Sequence, residues 1–178
     1  MFIAHIPAGY LATDALLRRR PVPPARRGRV LALGMMAAVL PDFDLLWFFL
    51  VDHRRTVHHA YLPHLPLAWV PVMALAAAAL WAARAGRTTW TAWMVVCANV
   101  ALHLVMDTTA GGIRWGWPFS HAELALAHVT ARHDPWYLNF VLHWTFALEI
   151  AIVAAALALL VVRRRAAGGV TGKSPVSE

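Results

Sequence analysis

Long apolar runs alternate along this chain with short basic or polar interruptions. Three runs, residues 62–83, 89–110 and 140–162, are each long and apolar enough to cross a bilayer as one helix. A fourth, residues 30–51, has the length, but Pro41, Asp42 and Asp44 interrupt it midway, where proline breaks or restarts a helix. A fifth, residues 2–17, is short for a full crossing and suits a helix lying partly in the interface. The pattern predicts an all-α, polytopic integral membrane bundle of about four to five helices, one broken at a Pro-Asp-x-Asp motif. It predicts one embedded domain over residues 1–165 and a small, polar, disordered tail over 166–178.

Composition agrees with the pattern. The 178 residues are 60% hydrophobic and 14% charged, against about half and about a quarter in soluble domains. Cys97 is the only cysteine and sits inside an apolar run, which excludes an intrachain disulfide and a cysteine-rich zinc module. The net charge of +7 gathers at the ends of apolar runs, in "RRRPVPPARRGR" and "RRR". That is how loops facing anionic membrane lipids are built, and no direct nucleic-acid binding is expected. The opening "MFIAHIPAGYLATDALLRRR" carries its charges after its apolar part, unlike a secretory signal.

Charge also orients the bundle. With the loop 18–29 in the cytoplasm and sides alternating, only Arg54, Arg55, Arg114 and Arg132 of the 16 Lys and Arg fall outside. The chain is then expected to be a multi-pass membrane protein. His5, the stretch from Asp42 to His59, and Asp107 all reach its extracytoplasmic side.

Those residues are the candidate chemistry. His103 and Asp107, in "HLVMD", stand four apart on one helical face, where both can reach one divalent ion or simply pair between helices. Asp42 and Asp44 would point about 200° apart on a continuous helix. A break at Pro41 lets both face one site, or lets one ligate while the other caps the following helix. "DHRRTVHH" offers His53, His58 and His59; the adjacent pair points in different directions, so one of the two is expected to ligate. Arg54 and Arg55 have the fork geometry for phosphate oxygens, or act as solvated headgroup contacts. Gly9, one turn from His5, permits close helix approach. Ser120 and Glu123 form a capping-box pattern that predicts a short helix. His64, His121, His128, His133 and His143 have no assigned role, His143 being the next candidate ligand. Together these make a nitrogen and oxygen donor set without thiolates, suited to Zn²⁺ or to Mn²⁺ as the alternative, with room for two or three ions.

The motifs "HIPAG", "LPDFD", "HRRTVH", "HLVMD" and "PFS", in this order, resemble a bacterial inner-membrane family described as membrane-bound, metal-dependent hydrolases, also called LexA-binding, YdjM-like proteins. The likeness extends from His5 to Ser120. By position it implies a metal site of His5, Asp42, Asp44, His53, His58, His103 and Asp107. The third motif departs from the family pattern: Arg55 stands for glycine, Val57 for threonine and His59 for serine. More distantly, the helices bearing histidines and aspartates look similar to the zinc-dependent phospholipase C and single-strand nuclease superfamily, which cleaves phosphoesters at a three-zinc cluster.

The function expected from this is metal-dependent hydrolysis of a phosphoester by metal-activated water. Asp44 would bridge the ions or act as base, and Arg54, with Arg114 behind it, would neutralise developing charge. A site at headgroup depth points to membrane lipids as surroundings and to a lipid-linked substrate. Two rival classes stand beside it. One is a small ion or solute transporter built on the broken helix. The other is a non-catalytic adaptor in which metal staples helices together.

Overall fold

The computed structural model describes Met1 and residues 3–171, and among them it is helical without strands. Seven α-helices follow in order: α1 (His5–Arg19), α2 (Pro24–Ala37), α3 (Asp44–Leu50), α4 (Pro66–Ala82), α5 (Arg87–Asp107), α6 (Leu138–Val141) and α7 (Thr145–Thr171). Five are long, as the apolar runs predict; α3 and α6 are short. Short 3₁₀ turns occupy Pro41–Phe43, His58–Ala60 and Leu62–His64.

Helices α5 and α7 are long and apolar enough to cross a membrane, and α2 with Pro41–Leu50 has that length and apolarity only as a pair bent by 57°, the shape of a broken span or a re-entrant loop. The predicted break at Pro41 is therefore present. Helix α4 reaches about 25 Å at the usual rise, just short of a full span, because Pro63 and Pro66 delay its start beyond residue 62. Helix α2 begins earlier than expected. Pro24 occupies its first turn, where proline's missing N–H is no loss, so Arg26, Arg27 and Arg29 are helical rather than looped. At the other end α7 runs past the expected boundary at 165 to Thr171, while residues 172–178 of the expected tail, like Phe2 of the first run, lie outside the described residues.

The core is a three-helix contact of α1, α2 and α5, with α7 on the outer side of α1 and α4 on α5. Small residues make it possible. A Cβ on Gly9 would meet the Ala38 Cβ at 2.6 Å, and one on Gly34 would meet the Thr13 Oγ1 at 2.0 Å. Thr13 in turn accepts a hydrogen bond from the Asn99 amide at 3.0 Å, tying α1 to α5. Leu17, Val30 and Val95 fill one end of this contact, and Ala37, Val100 and Leu104 the middle. Below Leu17 the buried Asp14 carboxylate accepts from Arg18 Nε and Arg163 Nη2, both at 2.9 Å, and pairs with Arg27. One acid thus joins α1, α2 and α7. The outer faces are apolar: Val70, Val72, Leu75 and Trp81 on α4, and Ile150, Leu157, Val161 and Val162 on α7, are all exposed. That surface belongs in lipid.

Candidate metal centre

The centre forms where three local structures end together. The 57° bend at Pro41 turns Asp42 and Asp44 off the axis of α2. The last turn of α5 presents His103 and Asp107 on one face, with a carboxylate oxygen 3.0 Å from His103 Nε2. Between them, two 3₁₀ turns fold the segment 58–64 back over the bend. Trp69 Nε1 donates to the Pro63 carbonyl at 2.9 Å and fixes the second turn, which buries His64 completely. Helix α1 adds His5, stacked on the His103 ring at 4.0 Å with Nε2 3.1 Å from Asp107.

Asp42, His64, His103 and Asp107 each direct one ligand atom into a space where all lie within 4.8 Å of one another; His58, His59 and His64 form a second such group. His64 belongs to both. Asp107 is shared as well: one oxygen faces His103, His64 at 3.6 Å and His59 at 3.7 Å, and the other faces His5 and the Met1 amino group.

The outer hydrogen bonds decide which nitrogens face inward. His103 Nδ1 lies 2.8 Å from the Ala38 carbonyl, which only accepts, so that nitrogen carries the hydrogen. His64 Nδ1 likewise donates to Asp44 at 2.7 Å. Both rings therefore turn Nε2 towards the centre, 3.3 Å apart and beside two carboxylates. Acceptors facing acceptors in a buried space require positive charge between them. Without a metal, a proton on His64 supplies part of it. Burial disfavours that charge, but Asp107, Asp42 and Asp44 outweigh burial and push His64 up to about 10. His59 goes the other way: burial pushes it down to about 4 against the pull of Asp107. The donor set is nitrogen and oxygen throughout, and it fits Zn²⁺ or Mn²⁺. Cys97 is elsewhere, against the Met73 sulfur at 3.3 Å.

Six of the seven residues assigned from the motifs converge here; His53 does not. It is exposed, in a left-handed conformation (φ 50°) in the turn after α3, outside both ligand groups. His64, which had no assigned role, belongs to both groups instead. Asp44 has its two oxygens 2.7 Å from His58 Nε2 and His64 Nδ1, a placement that orients both imidazoles. His58 remains at the edge of the centre, 3.9 Å from Asp42, and His59 joins it, so both neighbours face the site. Gly111 allows this, since a Cβ there would meet the His59 ring at 2.3 Å. Arg54 lines the adjoining cavity, its guanidinium 5.5 Å from the Phe49 ring centre. Arg114 is held by Glu123 at 2.7 and 3.0 Å, and that pair replaces the capping box: residues 120–123 are not helical. His143 pairs with Thr145 at 2.9 Å, apart from the centre.

The family model described as YdjM inner membrane protein matches residues 1–169. The chain belongs to this family. No curated protein and no solved structure matches it. Membership makes it an inner-membrane protein, in keeping with the apolar helices, and the histidine–aspartate groups give this family member a place that could hold a metal.

Proposed function

We propose that the protein is a membrane-bound hydrolase that holds a divalent metal, Zn²⁺ foremost, and cleaves a phosphoester. The observation that carries this reading is the pair of inward Nε2 atoms on His64 and His103, 3.3 Å apart beside Asp42 and Asp107, with their Nδ1 hydrogens already used. Asp42, His64, His103 and Asp107 would hold one ion, and His58 and His59 would stand at its edge as further nitrogen donors. A divalent ion there supplies Lewis-acid activation of water and of a phosphoryl oxygen.

The chain's own residues do the rest. Asp44 and the Ala38 carbonyl fix the tautomers of His64 and His103, so no reorientation is needed when a ligand arrives. His5 packs flat on His103 and keeps water from its outer face. Asp42, about a quarter exposed, is the more open carboxylate of the four-residue group, and Arg54 on the cavity wall offers a fork to phosphate oxygens. The cavity of about 690 Å³ reaching Asp42 and Asp107 favours an enzyme over an adaptor, because a purely structural metal site is closed.

Metal content of the purified protein, compared with Asp107→Asn, tests the centre: wild type should retain metal and the variant should lose most of it. Equally low metal in both would end the reading. Release of nitrophenol from bis-nitrophenyl phosphate by wild type, absent in Asp107→Asn, tests the chemistry. A metal-replete protein inactive on every phosphoester offered would leave the adaptor.

A further inference from the structure

The cavity beside the centre joins polar groups to a larger apolar lining. Asp42, His58, His59 and Asp107 of the centre line it together with Arg54 and Glu123, whereas Leu45, Phe48, Phe49, Val57, Trp136 and Phe140 form apolar walls. These walls come from two segments far apart in sequence, α3 with its following turn and the stretch entering α6. Both segments also turn apolar side chains outward. On α3, Leu46, Trp47 and Leu50 are exposed, and beside α6 Tyr137 and Leu142 are. A wall apolar on both faces is out of place against water, and it suits a partition between a bilayer and a greasy chamber. Arg54 stands at the junction, on the Phe49 ring and within the cavity lining, where an anionic headgroup would pass. A volume of about 690 Å³ is far more than a free phosphate requires and lies in the range of sites that bury an organic ligand.

We infer that this cavity takes the hydrocarbon chain of a phosphorylated amphiphile drawn sideways from the membrane, its phosphate at Asp42 and Arg54. The inference rests on the hydrolase reading and deepens it by naming the substrate class. The chemistry argues for one occupant. A chain already dissolved in lipid loses little on moving between apolar surroundings, so binding free energy remains for the headgroup. A soluble phosphoester would leave the aromatic walls hydrated.

The test uses the full-length protein in phosphatidylcholine nanodiscs and a dodecyl phosphate bearing a terminal diazirine, with labelled peptides mapped by mass spectrometry. Label is expected on the α3 segment and on Trp136 and Phe140, competed by unlabelled dodecyl phosphate and not by dodecanol. Val57→Trp and Phe140→Trp, which narrow the chamber, should each cut this label roughly fivefold or more at unchanged metal content. Label spread over the lipid-facing sides of α4 and α7, or indifferent to both variants, overturns the inference. Hydrolysis separates the two readings. Long-chain and methyl nitrophenyl phosphodiesters cleaved with equal kcat/KM refute the chain site and spare the hydrolase. Labelling as expected with neither ester cleaved refutes the hydrolase and spares the chain site.

Discussion

Replacing His64 with alanine sets the geometry against the motif spacing, because the motifs select His53 and the fold selects His64. His64 is fully buried, presents Nε2 to the Asp42–His103–Asp107 group and also belongs to the His58–His59 group. A zinc site of four protein ligands is worth about 10–16 kcal/mol, so one ligand accounts for about 3 kcal/mol, or roughly a hundredfold in affinity. Loss of this ligand should leave the four-residue group one donor short, and His64→Ala is expected to bind zinc about a hundredfold more weakly. Asp44→Asn should cost about 10–100-fold, since the amide must present its NH₂ or its oxygen to two imidazoles that both lean on carboxylate oxygens. His53→Ala should stay within about twofold, because that ring is exposed and outside both groups. Competition with a chromophoric chelator in detergent, at one pH, measures all three. A His53→Ala protein as impaired as His64→Ala, or a His64→Ala protein with full affinity, would refute the assignment.

Further outcomes follow from the same structure. Carboxylates hold the metal-free His64 protonated up to about 10, so an ion must displace that proton; apparent zinc affinity should fall as pH falls below that value, by up to about tenfold per unit, and proton release in weakly buffered titrations checks it. Asp14→Asn should lower the unfolding free energy by about 2 kcal/mol, less than for a fully buried pair because its three guanidiniums are each a third or more exposed, and thermal unfolding in detergent reads this. Gly34→Ala should destabilise by about 1–3 kcal/mol through its clash with Thr13 and Val95, while Gly28→Ala, with open space around it, should not. Unfolding midpoints that rank the two glycine variants the other way would undo the packing argument.

Much of the bundle was legible because apolar run length is a local property. The runs at 89–110 and 140–162 became α5 and α7, and Pro41 between two aspartates became the bend. Gly9 was legible as a close contact, and His103 with Asp107 as one face, since four residues on a helix need no tertiary knowledge. The 120–123 pattern misled for a tertiary reason: Arg114 takes the Glu123 carboxylate that a capping box would use. His64 was hidden for another. It lies in "YLPHLP", between two prolines, where no periodicity assigns a side chain to a face. Its only sequence signal is a lone histidine immediately ahead of an apolar helix.

By itself, then, the sequence determined that this chain is a helical membrane protein, where it breaks, and which residue types could meet at one end. Tertiary structure decided which of them do. Turns such as 58–64 have no repeat, so the direction of His53 or His64 depends on what the turn packs against: Trp69 on Pro63, Asp44 on two imidazoles, and a glycine at 111 that leaves His59 room.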